Sequence, residues 1–351
     1  MKGCEYIMAE AIITRAAGEP ESTLPISPIA HTVEVTVKLG DNRVIANCPV
    51  SCKDGSTYYN YKTNEKGKVL FMANSGAANI FVNNVINGTQ FIDFIGNSIN
   101  IDAPVGLSTR VNLTLQNGGN YFEYTSSRSF GILAARNVDL TIVGGGGGGG
   151  SGCGNKAVNA RCGAGGGAGY MNNYNGIIMG PVSIYNFKCG AGGLGGHNPP
   201  NSSVNGNNGT TGATSYIENT SYFAIGGTGG GGANLSGDAP NGGVGGLGNG
   251  AGRIAGYYLE EPEDSPVDFA GGGGGAFHIN DLAGFNENEH WRGLYYGGGY
   301  DYNYNLVSAS RGGGGCGGYN YYNIGNWNNE TNTRSSGYNG GSGLMRINIH
   351  Y

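Results

Sequence analysis

The sequence predicts an all-β chain that ends in a polyglycine-II domain: an N-terminal β-sandwich spacer followed by packed polyglycine-II helices with aromatic and Asn-rich loops. Three observations carry this expectation. Glycine supplies 72 of 351 residues, about a fifth, where ordinary usage is about 7%. Its distribution is uneven, with 12 Gly in residues 1–143 and 60 in 144–351. The first of these two stretches alternates apolar and polar residues with a period of two, the signature of half-buried strands.

Residues 1–30 carry a short apolar stretch (Ala9, Ala11, Ile12, Ile13) followed by Gly18, Pro20, Pro25 and Pro28. That punctuation is too dense for a long helix, and the segment reads as an attachment arm. Met1 and Met8 are both candidate starts. Met1 to Glu10 contain no continuous apolar core of a secretory leader, so none is expected.

From His31 the alternation begins. Val33, Val35 and Val37 face one way and Thr32, Glu34, Thr36 and Lys38 the other. Further strand-like runs at 44–45, 57–61, 68–72 and 78–82 are separated by Asp54-Gly55, Glu65-Lys66-Gly67 and Ser75-Gly76. Short strands with turn signals every 8 to 12 residues or so suggest a sandwich over 31–82. The opening Val33-Glu34-Val35-Thr36-Val37, the hairpin Thr63 to Phe71 and Gly76 resemble the carboxypeptidase regulatory-like, transthyretin-like sandwich. That resemblance implies a spacer module. Residues 83–143 read as a β-rich connecting region with Phe91, Phe94, Ile99, Ile101, Val111, Leu113 and Leu115 inward, and Asn137 to Val143 delivers the chain into seven consecutive glycines.

Residues 144–351 form the glycine-rich distal domain, with nine glycine runs, among them 144–150, 163–169, 190–196, 226–232 and 312–318. Gly/Ser tracts ordinarily behave as flexible coils. Here the intervening segments hold 17 of the 23 Tyr and both Trp, and disordered tracts are poor in aromatics. A polyglycine-II bundle resolves the conflict. Each left-handed helix rises about 3.1 Å per residue and has no internal hydrogen bonds, so its N–H and C=O groups must pair with neighbouring helices. A chain without Cβ atoms can approach that closely on several sides. Gly144, Gly147, Gly150, Gly271, Gly312 and Gly315 are the scaffold positions this predicts.

The approach Asp139 to Gly150 and the ending Gly340-Gly341-Ser342-Gly343-Leu344 to Tyr351 resemble the start and finish of the glycine-rich domain of bacteriophage tail proteins, including tail-fibre adhesins. The resemblance covers 137–351. It implies a non-enzymatic virion protein of a phage tail or tail-like particle, made in the host cytoplasm. Its implied partners are a bacterial cell-surface receptor, protein or glycan, and other tail or baseplate proteins through the N-terminal segment. Homo-oligomerisation stays open. A structural filament or coat protein of a cell or spore surface is the alternative, and an ice-binding protein the second.

Net charge is −5 with no basic stripe, so nucleic-acid binding is not expected. No apolar run of 18 residues occurs, so no membrane span is expected. The five His are scattered, no Cys-x-x-Cys or Gly-x-Ser-x-Gly string is present, and no catalytic, cofactor or metal site is expected. Gly-x-Gly-x-x-Gly strings are inevitable in such tracts and carry no information without a βαβ unit. Cys48 and Cys52 are placed for a local bridge, while Cys153, Cys162, Cys189 and Cys316 lie in or beside glycine runs. Steric tolerance, pairing and metal ligation are all open to them. Glu260 to Asp264 reads as a solvated acidic loop. The expected receptor contact is aromatic: Trp291, Tyr295, Tyr296, Tyr300, Tyr302 and Tyr304, then Tyr319, Tyr321, Tyr322 and Trp327, with Asn198 to Tyr222 as the other candidate. Tyr, Asn, Ser and Gly dominate antibody paratopes for related reasons.

Overall fold

The alternation of Val33, Val35, Val37 and Leu39 becomes the central strand of a sandwich, with all four side chains buried. The computed structural model describes residues 31–73, 77–102, 108–155, 158–161, 163–198, 204–234, 299–300, 306–307, 309, 314–315, 320–321, 333–334 and 336–351. The attachment arm and the acidic loop lie outside them. The described residues contain strands and no helix.

In the first sandwich the strands are β1 (His31–Leu39), β2 (Pro49–Asp54), β3 (Thr57–Lys62), β4 (Lys68–Ala73), β5 (Ala77–Val82), the short β6 (Val85–Ile86), β7 (Thr89–Gln90) and β8 (Phe94–Ile95), then β9 (Asn97–Asp102) and β10 (Ser108–Asn117). One sheet has the order β4-β1-β10-β8 and the other β3-β2-β5-β9. Phe71, Ile80, Leu113 and Leu115 fill the space between them. β9 and β10 come from the stretch read as a connecting region, yet they complete these sheets. β10 pairs in parallel with β1, Thr32 opposite Ser108 through Leu39 opposite Leu115.

A second sandwich follows. Its strands are drawn from β11 (Tyr121–Tyr124), β12 (Arg128–Ile132), β13 (Arg136–Val143), β16 (Met171–Met179), β17 (Ser183–Lys188), β18 (Ser215–Ile217) and β19 (Phe223–Ala224), while the short β14 (Cys153–Asn155) and β15 (Val158–Arg161) pair with each other alone among the described residues. Four two-residue strands, β20 (Gly299–Tyr300), β21 (Leu306–Val307), β22 (Asn320–Tyr321) and β23 (Thr333–Arg334), precede β24 (Leu344–His350). Sheets β11-β24-β13-β16 and β12-β17-β18-β19 enclose Phe130, Ile132, Val138, Leu140, Ile142, Phe187, Ile217, Met345 and Ile347.

Six of these strands run directly into glycine segments. β13 continues as 144–151, β17 as 190–196 and β19 as 226–233, while 163–170 leads into β16, 206–213 into β18 and 337–343 into β24. Side chains hold facing sheets about 10 Å apart. At Val143 they stop, and the continuations of both sheets close to backbone contact. Segment 144–151 is wholly buried at the centre.

Its hydrogen bonds repeat every three residues. Gly144, Gly147 and Gly150 N–H donate to Tyr170, Gly167 and Ala164; Gly145, Gly148 and Ser151 donate to Ala213, Thr210 and Asn207; Gly146 and Gly149 donate to Gly341 and Tyr338. The carbonyls are used in the same rhythm, accepting from Gly227, Gly230 and Ala233, from Gly193 and Gly196, and from Gly315. Among the described residues the central segment thus bonds to six others. A Cβ on Gly147 would overlap the Thr228 carbonyl, and one on Gly148 the Leu194 carbonyl.

Candidate functional site

With the glycine backbone consumed internally, contact with anything else falls to the side chains that the outer segments turn away from the centre. In 190–196 these are Ala191 and Leu194, the latter 63% exposed. In 206–213 glycine recurs at Gly206, Gly209 and Gly212 and faces inward, donating to Ala233, Gly230 and Gly227. Asn207, Asn208, Thr210, Thr211 and Ala213 are exposed. In 226–233 the exposed position is Thr228.

Several of these polar side chains accept from backbone N–H groups on the outer segments. Thr210 Oγ1 accepts from Leu194 N–H at 2.7 Å, Asn208 Oδ1 from Gly232 N–H at 2.8 Å and Asn339 Oδ1 from Gly195 N–H at 2.9 Å. Ser215 Oγ accepts from Gly190 N–H at 2.9 Å where β17 ends. An orphaned buried amide costs roughly 1–3 kcal/mol, so these residues end the hydrogen-bond pattern where another segment would otherwise be required.

Beside this rim, the sheet carrying β17, β18 and β19 shows an aromatic and aliphatic face. Tyr216 and Phe223 are directly paired across β18 and β19, and both are exposed together with Ile225 and Ile184. Tyr174 anchors the strand beneath, its hydroxyl donating to Phe223 O at 2.9 Å and accepting from Phe223 N–H at 3.1 Å. Lys188, directly opposite Tyr216, and Glu218 are on the same face, and they neutralise one another at 3.3 Å. The face has no net charge and offers aromatic area at low entropy cost, with adaptable Asn and Thr groups around it.

Of the aromatic residues singled out from sequence, two are described. Tyr300 and Tyr321 lie in β20 and β22, where the backbone pairs with Leu306 and Thr333. Trp291, Tyr295, Tyr296, Tyr302, Tyr304, Tyr319, Tyr322 and Trp327 lie outside the described residues, as do Gly271 and Gly312. Gly144, Gly147, Gly150 and Gly315 all sit in the glycine array. Within Asn198 to Tyr222, segment 206–213 is an array member with one glycine per three residues. Its signal was the spacing of Gly206, Gly209 and Gly212, hidden by the Asn and Thr between them.

Of the described cysteines, Cys48, Cys52 and Cys189 are free thiols. Burial pushes Cys48 up to about 12 and Cys52 up to about 11. Cys189 Sγ, also raised by burial, donates to Gly343 O at 3.0 Å. Among the described residues no group of three His, Cys, Asp or Glu side chains is placed to hold a metal ion. No described helix is long and apolar enough to cross a membrane.

No curated protein sequence matches the chain. The solved structures it resembles include the Bacillus anthracis TIE protein, at 9% identity and a TM-score of 0.21 over 45% of this chain and 27% of that one. Another is a DUF3823 family protein from Parabacteroides merdae, at 7% identity and a TM-score of 0.22 over 46% of this chain and 89% of that one. The chain thus spans about a quarter of the TIE structure. The glycine-rich domain description matches residues 123–350, starting within β11, so the second sandwich and the glycine segments are one unit. Through those residues the chain belongs to the glycine-rich domain family.

Proposed function

We propose that this chain is a non-enzymatic structural protein of a phage tail or tail-like particle that attaches to the bacterial surface. In this reading residues 1–30 join it to other tail or baseplate proteins, and the first sandwich is a spacer. The glycine segments are polyglycine-II helices, a reading supported by the three-residue rhythm of their hydrogen bonds. The receptor, protein or glycan, is met by the face of Tyr216, Phe223 and Ile225 together with the aromatic loops 291–304 and 319–327.

One observation carries the reading: an exposed aromatic face without net charge stands beside an array whose backbone groups are spent internally. Binding groups on a rigid scaffold lose little entropy on contact. The side-chain caps from Thr210, Asn208 and Asn339 favour a bounded domain over a filament or coat that would need open edges. The test is competition. Purified chain added before infection should lower adsorption of the parent particle in a dose-dependent way, and no competition at saturating protein would sink the proposal.

A further inference from the structure

We propose that the first sandwich is a shear clamp, built to hold tension between the chain preceding His31 and the glycine-rich domain. The inference deepens the attachment reading, in which those two ends are anchored to particle and host.

The argument starts from the register of β1 and β10. They are parallel and share eight residue pairs, Thr32 opposite Ser108 through Leu39 opposite Leu115. In a parallel pair, the start of one strand and the finish of the other lie at opposite ends. The chain enters this sandwich at the start of β1 and leaves it at the finish of β10. Tension between those points slides the two strands along one another and strains every ladder bond at once. Pulling on the same end of both strands would open the bonds in turn. The intervening chain, 40–107, lies off the direct path.

The surroundings reinforce the clamp. β1 is held on its other side by β4, antiparallel from His31 opposite Ala73 to Thr36 opposite Lys68. Sliding β1 would also drag Val33, Val35, Val37 and Leu39, all buried, out of their core sites. On the exposed side Glu34 reaches Lys68 at 2.9 Å and Arg110 at 3.5 Å, linking β1 to both neighbours.

The next unit is loaded in the same sense through an intervening strand. β24 pairs antiparallel with both β11 and β13, so β11 and β13 run the same way with β24 between them. Chain arriving at Tyr121 and leaving at Val143 into the central glycine segment again loads the strands lengthwise. Two shear elements thus stand in series between His31 and Ser151. Between them, the Asp93 carboxylate accepts from Leu133 and Ala134 N–H at 2.8 and 3.0 Å, which ties the two sandwiches together.

Single-molecule force spectroscopy on the full chain tests this with two pulling geometries in the same fold. Azide-bearing residues replacing Thr32 and Gln116 load the β1–β10 pair lengthwise, and replacements of Thr32 and Ser108 peel it from one end. Thermal melting of each labelled protein at the parent temperature establishes that both start folded. Lengthwise loading should need at least about twofold higher mean force, because the bonds of the parallel ladder resist together. Equal forces would overturn the clamp, whatever the adsorption result. A preserved difference in a protein that fails to block adsorption would retain the clamp and remove the receptor reading.

Discussion

Asp93 and Arg136 form an ion pair at 3.3 Å with both side chains closed to solvent, at the joint between the two sandwiches. Phe91 and Phe94 belong to the first core and Ile92 to the second, so the backbone of this short segment bridges the two and points Asp93 into the seam. The Arg136 guanidinium lies over the Tyr351 ring at 4.6 Å, and the Tyr351 hydroxyl donates to Gly119 O at 2.9 Å. Removing one partner leaves a buried charge uncompensated, which costs about 3–5 kcal/mol. Asp93→Ala is expected to lose about that much, measured by urea unfolding. Arg136→Met together with Asp93→Asn should be milder than Asp93→Ala, since no lone charge remains.

Gly147→Val is expected to prevent folding of the glycine-rich domain, because the added Cβ meets the Thr228 carbonyl and backbone has nowhere to retreat. Thr228→Ala, at an exposed position of an outer segment, should be tolerated. Amide exchange gives the complementary reading. The Gly144 to Gly150 amides should exchange far more slowly than free glycine, and exchange at linker rates would contradict the hydrogen bonds assigned to them.

These two sites show how differently the fold was written into the sequence. The outward and inward sets of β1 and the change at Val143 are local patterns and could be read directly. The parallel pairing of β1 with β10 joins residues more than seventy positions apart, and no local pattern specifies it, which is why the sandwich was expected to close at residue 82. The glycine array was legible where glycines are consecutive. It was missed at 206–213 because an outer segment needs a bare backbone only on its inner side, so one glycine in three suffices. Tyr216 lies inside the candidate stretch Asn198 to Tyr222 and Phe223 just beyond it, but neither stands out within the sequence, because their exposure depends on which face of a two- or three-residue strand meets the core. The Asp93–Arg136 pair was equally silent, since two isolated charges in sequence say nothing of a shared seam.

The caps predict small, separable effects. Asn339→Ala removes the acceptor for Gly195 N–H, and Asn208→Ala that for Gly232 N–H. Each should cost about 1 kcal/mol, the usual net worth of a hydrogen bond, and raise exchange at that amide alone. The double variant should be additive, because the two bonds share no partner. Larger non-additive losses, or new self-association by light scattering, would show that the caps also keep the array edge closed to other chains.

Alkaline pH should weaken the fold. Burial raises Cys48 to about 12, Cys52 to about 11 and Tyr351 to about 12. Once unfolded, they titrate in their ordinary ranges, near 8.5 for a thiol and 10 for a phenol. Below those values both states are protonated and the full stability is present. As pH rises toward 11–12 the unfolded chain releases protons that the native one retains, and stability falls. Urea midpoints should therefore decline between about pH 9 and 12. Cys48→Ala with Cys52→Ala should flatten that decline, and an unchanged slope would remove the thiols as its cause.

The receptor contact makes the sharpest demand on the proposed function. Tyr216, Phe223 and Ile225 are exposed, so converting all three to Ser removes apolar contact area while leaving the cores intact. An aromatic anchor at the centre of an interface is worth about 2 kcal/mol or more, about thirty-fold in affinity. The triple variant should need about thirty-fold more protein to block adsorption, with its thermal midpoint nearly unchanged. Tyr300→Ser, Tyr302→Ser and Tyr304→Ser together apply the same demand to the aromatic loop, with the same expected loss. A sharp fall in midpoint for either set would make those residues cover for the glycine array and not a binding surface. If both sets compete as the parent does, host attachment does not run through the aromatic surfaces of this domain, and the proposed function loses the observation that carries it.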